Sequence, residues 1–309
     1  MKKKNTAVIG TGWFGRAHAR NYAQESTLVA VCDVNEVLAQ NVAKQYDNVR
    51  AYHDVEEMVK NEQIEALSIV TPPSEIPRLT EICAKAGISV LMEKPLGLNL
   101  EHVRSLLQYD NVRIQPGFIE LFNPVIEELQ KHLAEIGDVL TISSKRIGLY
   151  PRRHWGMGVV LDLATHDVYL QQHFLGEVQD VRAMLRYFYS DQYEDAAYIL
   201  LDFGKSKGAI ESNWLTPTKY RRMFVCGSEG SIDVDFITQD VHILRGSDLA
   251  GDSPRTIDTC IQPLRQEEPL RKEILNFLYD KTPRVTLEDG IKAMEVVLKV
   301  LNIGKSNKS

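Results

Sequence analysis

A glycine-rich turn near the start of the chain constrains the fold more than any other feature. The segment GTGWFG follows an apolar run, Thr6–Ile9, and leads into a helical pattern, Phe14–Gln24. A GxGxxG turn of this kind bends tightly at its first glycine, admits a pyrophosphate at its second, and lets helix and strand pack closely at its third. The amides and the dipole at the helix start also favour an anion. We therefore expect a dinucleotide to be bound by Gly10, Thr11, Gly12, Trp13, Phe14 and Gly15.

An acidic residue after the next predicted strand supports the same prediction. Asp33 directly follows Leu28–Cys32, the position where an acid accepts hydrogen bonds from the adenosine ribose. The alternative is that Asp33 only caps the helix that follows. A carboxylate repels a 2′-phosphate, and Val34 and Asn35 supply no arginine to hold one. We therefore expect NAD rather than NADP as the cofactor, with Asp33 and Val34 among its contacts.

The first third of the chain alternates short apolar runs with helical patterns. Further strands are predicted at Ala66–Val70 and Ser89–Met92, and further helices at Asn35–Gln45 and Pro77–Ala86. Strands that alternate with helices of this length form βαβ units around a parallel sheet. The sequence thus predicts an α/β fold for residues 1–120, an amino-terminal Rossmann domain with a doubly wound parallel sheet.

The remainder, residues 121–309, is predicted to form an α+β domain with a mostly antiparallel sheet, because long strands follow one another there. Helices are predicted at Pro124–Glu135, Gly158–Phe174, Leu270–Tyr279 and Leu287–Ile303. The strands are predicted at Val139–Ile147, Val178–Tyr189, Ala196–Phe203, Gly208–Trp214, Arg222–Cys226 and Ser231–Asp235. The last helix, about residues 285–304, is expected to pack back on the first domain.

Composition and charge narrow the class of protein. A chain of 309 residues exceeds the size at which one hydrophobic core usually stops growing, which favours two domains. The net charge of −6 argues against nucleic-acid binding. The four cysteines are scattered, as free thiols in a reducing compartment would be. The apolar stretch near the start is too short for a signal peptide, and no segment reaches the length of a membrane span. We expect a cytoplasmic protein with no membrane partner.

A lysine follows the strand Ser89–Met92 in the tripeptide Glu93-Lys94-Pro95. Residues just beyond the carboxyl ends of strands line the ligand crevice of a doubly wound sheet. Lys94 at that position can hydrogen-bond a substrate oxygen and stabilise alkoxide charge. The alternative is an ordinary solvated lysine in a loop.

The predicted helix Gly158–Phe174 carries the second set of candidate residues. On α-helical spacing, Asp162, His166, Tyr169 and His173 form one polar stripe on an otherwise apolar helix. Asp162 can orient the imidazole of His166, which would then accept a proton from a secondary alcohol that gives up hydride. A purely structural His–Asp pair and a metal site are the alternatives. We expect no metal, because no third ligand cluster stands out.

Taken together, these residues resemble the Gfo/Idh/MocA family of oxidoreductases. The resemblance runs through VIGTGWFGRAHARNY, LVAVCDVN, SIVTPPSEIP, CAKAGISVLMEKPLG, VVLDLATHD and AIESNWLTPTKYRRMFVCGSEG. It implies that Lys94 contacts substrate and nicotinamide, that His166 is the catalytic acid and base, and that Asp162 is its partner. It also implies a carboxy-terminal domain with an open-faced sheet, and a homo-oligomer, a dimer or tetramer. The further contacts that it implies are Thr71, Pro72, Pro73, Glu93 and Lys94 to the cofactor, and Asn123, Arg153, Tyr169 and Lys219 to the substrate.

The resemblance is strongest to a branch that contains nucleotide-sugar dehydrogenases. The implied activity is therefore hydride transfer between NAD(P) and a secondary hydroxyl of a sugar, cyclitol or nucleotide sugar. Cations that could meet a diphosphate are Arg146, Arg152, Arg153, Lys219, Arg221 and Arg222, although scattered surface charge also explains most of them. Two other functions stay open: an NADPH-dependent reductase of a ketone or imine, and a non-catalytic NAD-binding sensor.

Overall fold

The structure, a computed structural model, describes residues 3–151, 156–247, 255–261 and 267–306. The chain divides into two compact units. The first contains Met1–Ile119 and Pro269–Ile291, and the second contains Glu120–Glu268 and Lys292–Ser309. A division into residues 1–120 and 121–309 therefore stays a prediction, and the segment Pro269–Ile291 is a contribution to the first unit from far along the chain.

The first unit is built around a six-stranded sheet in which every neighbouring pair is parallel. Its strands are β1 (Asn5–Ile9), β2 (Thr27–Cys32), β3 (Arg50–Tyr52), β4 (Ala66–Ile69), β5 (Ser89–Glu93) and β6 (Ile114–Gly117). Their order, β3-β2-β1-β4-β5-β6, is that of a doubly wound dinucleotide-binding sheet. The predicted Rossmann domain is confirmed.

The second unit contains an eight-stranded sheet of order β14-β13-β12-β11-β7-β10-β9-β8. Its strands are β7 (Val139–Ile147), β8 (Asp180–Arg186), β9 (Ala196–Asp202), β10 (Lys207–Asn213), β11 (Tyr220–Gly227), β12 (Gly230–Asp235), β13 (Asp240–Ser247) and β14 (Arg255–Ile261). β7 and β10 run parallel, and the other neighbouring pairs are antiparallel. The predicted mostly antiparallel sheet is confirmed.

Most helices of the described residues were predicted, and the exceptions are Val55–Asn61 and Leu100–Ser105. The helices are α1 (Trp13–Glu25), α2 (Glu36–Ala43), α3 (Val55–Asn61), α4 (Ile76–Lys85), α5 (Leu100–Ser105), α6 (Pro124–His132), α7 (Thr165–Leu175), α8 (Pro269–Tyr279) and α9 (Leu287–Ser306). No helix among residues 3–151, 156–247, 255–261 and 267–306 is long and apolar enough to cross a bilayer.

The core of the first unit combines the early strands with a late helix. Leu270, Ile274 and Phe277 of α8 pack in one buried cluster with Val8 of β1 and Leu91 of β5. The helix α8 is thus an integral layer of the dinucleotide-binding unit, although its sequence lies beyond the whole eight-stranded sheet. Burial of its apolar face accounts for its place there, since each large side chain removed from water contributes about 1.5–3 kcal/mol.

The eight-stranded sheet of the second unit has one buried and one open face. Side chains alternate strictly along β8, where Val181, Ala183 and Leu185 are buried and the residues between them are exposed. The buried face is covered by helices that include α6 and α7. The open face exposes large apolar side chains, with Leu200 60% and Met184 54% accessible.

Candidate active site

The glycine turn between β1 and α1 has the geometry that a bound pyrophosphate needs. Gly10 has φ +90°, and a Cβ there would clash with the carbonyl oxygen of Val70. A Cβ on Gly15 would clash with the carbonyl oxygen of Gly10, whereas the space beside Gly12 is open. The N-cap of α1 is Gly12, which has no side chain to cap the amides at the start of the helix. The turn therefore offers free space and an uncapped helix start at the same place.

Asp33 is fixed against this turn by three hydrogen bonds. Its Oδ2 accepts from the backbone N–H of Thr11 at 2.7 Å and from the Thr11 hydroxyl at 3.0 Å. Its Oδ1 accepts from the N–H of Asn35 at 2.9 Å. The cap of α2 is Asn35, whose side chain accepts from the N–H of Leu38. The alternative in which Asp33 merely caps that helix is therefore wrong, and the acid stands beside the glycine turn.

Other expected cofactor contacts surround the same turn. Trp13 is 87% and Val34 96% exposed, unusual values for large apolar side chains. The segment Thr71–Pro73 follows β4, and a Cβ on Gly10 would lie 3.1 Å from Cγ2 of Thr71. The Thr71 hydroxyl is buried without a hydrogen-bond partner among the residues that the structure describes. This part of the first unit thus has both apolar surface and an unused polar atom, which suits a nucleotide.

Glu93, the last residue of β5, belongs to a buried hydrogen-bonded chain. Its Oε1 lies 3.1 Å from Nε2 of His18, and Nδ1 of His18 lies 2.9 Å from the Ser68 hydroxyl. The Tyr22 hydroxyl lies 2.7 Å from the same Ser68 oxygen. The other carboxylate oxygen of Glu93 accepts from the backbone N–H of Lys94 at 3.2 Å. Glu93 thereby anchors the turn that carries Lys94, and sequence reasoning did not single out His18 for this role.

In the second unit, His166 is buried and held by a tyrosine. Its Nδ1 lies 2.9 Å from the hydroxyl oxygen of Tyr169, which in turn accepts from the backbone N–H of Glu120 at 3.0 Å. This contact holds the ring at Nδ1. The hydroxyl of Tyr169, which was expected at the substrate, already has these two partners. A direct substrate contact by Tyr169 stays a prediction.

The segment before α7 departs from α-helical geometry. Residues Val160–Ala164 form a π-helical turn, and the α-helix begins at Thr165. A π turn contains more residues than an α turn, so the expected single stripe on 3.6-residue spacing is interrupted between Asp162 and His166. Asp162 is half-buried. Its role as the partner of His166 stays a prediction.

Behind His166 lies a buried ion-pair cluster. Arg146 donates to both carboxylate oxygens of Asp167, at 3.0 and 3.2 Å, and to Glu120 at 2.7 Å. Burial raises the pKa of Asp167, and the Arg146 guanidinium counteracts that rise. Arg146 was a candidate for a diphosphate contact, and this interpretation is wrong, because the side chain is 1% exposed and committed to two internal carboxylates.

The remaining expected substrate residues have different surroundings. Asn123 caps α6, with its Oδ1 accepting from Val125 and its Nδ2 donating to Glu120 and to the carbonyl of Phe236. Lys219 is exposed. Arg153, with its neighbour Arg152, lies outside the described residues. No group of three or more His, Cys, Asp or Glu side chains that could hold a metal occurs among the residues that the structure describes.

The glycine turn, the acid beside it and the strand order define the first unit as a dinucleotide-binding domain of an oxidoreductase type. Residues 4–112 match the family model described as "Oxidoreductase family, NAD-binding Rossmann fold", and residues 129–233 match the "GFO/IDH/MocA C-terminal domain". The chain therefore belongs to the Gfo/Idh/MocA family of NAD-binding oxidoreductases.

Several curated relatives and solved structures match over nearly the whole chain. The UDP-N-acetylglucosamine 3-dehydrogenase of Acidithiobacillus ferrooxidans is 30% identical over 98% of this chain and 97% of its own length. The scyllo-inositol 2-dehydrogenase (NAD(+)) of Bacillus subtilis is 28% identical over 93% of this chain and 92% of its own. A solved structure of the A. ferrooxidans enzyme superposes with a TM-score of 0.90, covering 99% of both chains at 26% identity.

Proposed function

We propose that the protein is a dehydrogenase that transfers hydride between NAD and a secondary hydroxyl of a nucleotide sugar, a sugar or a cyclitol. The names of the relatives support this substrate class, since they act on UDP-N-acetylglucosamine and on an inositol. The observation that carries the proposal is the buried imidazole of His166, whose Nδ1 lies 2.9 Å from the hydroxyl oxygen of Tyr169. A protein that only bound NAD would have no use for such a group.

In this proposal each unit supplies one part of the chemistry. Lys94, at the end of β5, hydrogen-bonds the reacting oxygen and stabilises the negative charge that develops on it. His166 accepts the hydroxyl proton at Nε2 and returns it in the reverse direction. Asp162 favours the protonated imidazole by its charge. Bound NAD would supply the nicotinamide carbon that takes up the hydride.

The residues that would hold NAD fit a dinucleotide. The open space beside Gly12 and the uncapped start of α1 suit the pyrophosphate, and Asp33 suits the ribose hydroxyls. The carboxylate of Asp33 is already fixed by Thr11, so it cannot move away to admit a 2′-phosphate without losing two hydrogen bonds. This arrangement supports NAD over NADP.

Turnover with a substrate panel tests the proposed reaction. Purified protein with NAD⁺ is given UDP-N-acetylglucosamine, scyllo-inositol and myo-inositol, and NADH is followed by absorbance. Lys94→Ala and His166→Ala should each reduce turnover by about 10²–10⁴-fold, as the loss of a general acid–base group does. Lys60→Ala and His53→Ala, at exposed positions of the first unit, serve as matched controls. Tight NAD binding without turnover of any substrate would instead identify an NAD-binding sensor.

A second copy of the chain is the proposed partner of the open sheet face. Leu200, Met184 and Phe224 expose apolar surface there, around a groove of about 640 Å³ that also contains both charge signs. Contiguous exposed apolar surface with mixed charge suits a self-complementary interface. Sedimentation should show a dimer or tetramer that Leu200→Asp dissociates. Leu107→Asp, at an exposed leucine of the first unit, is the control, and a monomeric wild type would refute this assembly.

We also propose that the protein works in the cytoplasm. Cys32, Cys83 and Cys226 are free thiols, which persist in a reducing compartment. Cell fractionation with an antibody to the protein tests this location.

A further inference from the structure

Glu273 is a buried carboxyl group for which the proposed reaction has no use. It lies on α8 between core residues, with Leu270 three positions before it and Phe277 four positions after it. Its side chain is fully buried, at 0% exposure. Neither carboxyl oxygen has a hydrogen-bond partner among the described residues. A group of this kind needs an explanation, because buried polar atoms are paired in the large majority of cases.

The groups around Glu273 form a hydrogen-bonded chain with one consistent direction. We assign the hydrogen atoms so that the Tyr22 hydroxyl donates to Ser68, the Ser68 hydroxyl donates to Nδ1 of His18, and Nε2–H of His18 donates to Glu93, in agreement with the observed distances. This assignment uses each of these donors once and ends at the carboxyl group of Glu93. The N–H of Lys94 donates to the other oxygen of that carboxylate. We call these residues, together with Glu273, the Glu93 cluster.

In this assignment, every hydrogen-bond donor of the cluster is therefore bonded to a residue other than Glu273. An ionised Glu273 would be a second negative charge beside Glu93, without a donor for either of its oxygens. A buried carboxyl in that position takes up a proton rather than remaining charged. Burial first, and then the charge of Glu93, raise the pKa of Glu273 well above its ordinary value.

We propose that Glu273 holds a proton at neutral pH and keeps the Glu93 cluster at a single negative charge. Glu273 is thereby a positioning residue for the turn that carries Lys94, because Glu93 fixes that turn through the Lys94 amide. The effect on Lys94 rests on the proposed function, whereas the proton on Glu273 does not. The titratable groups that interact with Glu273 are Tyr22 from α1 and Glu93 from β5, and Glu93 in turn contacts His18 of α1.

The pH dependence of unfolding tests the proton directly. The folded protein holds a proton on Glu273 that the unfolded chain releases above the ordinary pKa of glutamate, about 4.3. Stability from this group is complete below that value and is lost as the pH rises toward the folded pKa. The unfolding constant of the wild type should therefore increase by about tenfold per pH unit relative to that of Glu273→Gln. Glu56→Gln, at an exposed position of α3, should show no such slope relative to the wild type.

Infrared spectroscopy provides a second readout that does not depend on stability. The wild type at neutral pH should show a carbonyl stretch of a protonated carboxylic acid that Glu273→Gln lacks. If Glu273→Gln does not fold, Glu273→Met fills a similar volume without an ionisable group and replaces it in both measurements. Equal pH slopes for wild type and variant, with no carbonyl band lost, would overturn the proposal.

The activity assay then tests the positioning role. Glu273→Gln should keep turnover at neutral pH, and its decline at alkaline pH should move to higher pH, because no second charge can form beside Glu93. An unchanged alkaline limb would refute the effect on Lys94. If no substrate is turned over by the wild type, the proposed function fails, yet the unfolding and infrared results still decide the protonation of Glu273.

Discussion

Replacing Arg146 should destabilise the second unit strongly, because it removes the ion-pair partner of buried Asp167 and leaves Glu120 with only the more distant Arg221, at 3.5 Å. Arg146→Met removes the donor of three hydrogen bonds, two to Asp167 and one to Glu120, in a region where the arginine is 1% exposed. Removal of one partner from a buried ion pair costs about 3–5 kcal/mol. For a unit of this size, that corresponds to a decrease in melting temperature of roughly 10 °C or more.

The predicted loss depends on pH with a definite sign. The pKa of Asp167 is raised by burial even with Arg146 beside it, and the loss of the cation raises it further. A group whose folded pKa lies above its unfolded value stabilises the protein at low pH and ceases to do so as the pH rises. Arg146→Met should therefore cost less stability at acidic pH, where Asp167 is protonated, than at neutral pH.

Two matched variants make the measurement decisive. Arg78→Met removes an arginine from α4 of the first unit, where its pair with Glu75 is exposed and is worth at most about 1 kcal/mol. Arg146→Met combined with Asp167→Asn and Glu120→Gln removes the three paired charges, leaves Arg221 as the remaining cation, and should recover part of the stability. Unfolding is followed by circular dichroism in urea at acidic and neutral pH. Equal losses for Arg146→Met and Arg78→Met, at both pH values, would refute the reasoning.

Three further predictions concern the site. Tyr169→Phe should lower kcat by about tenfold with little change in KM, because the hydrogen bond between the tyrosine hydroxyl and the imidazole of His166 is lost. Nitrogen NMR of His166 should show an altered tautomer. An unchanged spectrum would contradict the positioning role of Tyr169. Gly15→Ala should weaken NAD binding by about tenfold or more, measured by tryptophan fluorescence titration, since an added Cβ forces the turn open. Asp33→Asn should reduce the preference for NAD over NADP by about tenfold in the same titration, because the negative charge beside Thr11 is removed. An unchanged ratio of the NAD and NADP affinities would show that Asp33 does not determine the choice of cofactor.

The dinucleotide-binding unit was largely predictable because its signals are local. A glycine turn between β1 and α1, and an acid directly after β2, are adjacent in sequence to the elements that they connect. The strand β6 was missed because Pro116 and Gly117 both disfavour strand structure. The sheet accepts them because β6 is an edge strand, where a missing amide donor on one side leaves no gap in the ladder. The strand β3, with three residues, is too short for alternation to be visible.

The interior of the second unit was less predictable, because its partners are distant in sequence. The strand β7 does carry a signal, since Ile142, Ser144 and Arg146 are buried at every second position. This alternation places an arginine on the inner face, but it does not reveal that Glu120 and Asp167 complete the cluster. The π-helical turn before α7 has no sequence pattern of its own, and reading the segment as one α-helix linked Asp162 too simply to His166.

In both clusters of buried charged residues, the presence or absence of a nearby cation determines whether we expect a buried carboxyl group to keep its proton. In the second unit, carboxylates are buried together with an arginine, and that cation holds down the rise in the pKa of Asp167. In the first unit, no cation among the described residues is within hydrogen-bond distance of Glu273. The nearby imidazole of His18 already contacts Glu93. We therefore expect the carboxyl group of Glu273 to keep its proton. The consequences for stability differ accordingly. Removing the ionisable group at Glu273 should abolish a pH slope in the free energy of unfolding, whereas removing the cation at Arg146 should lower that free energy at neutral pH.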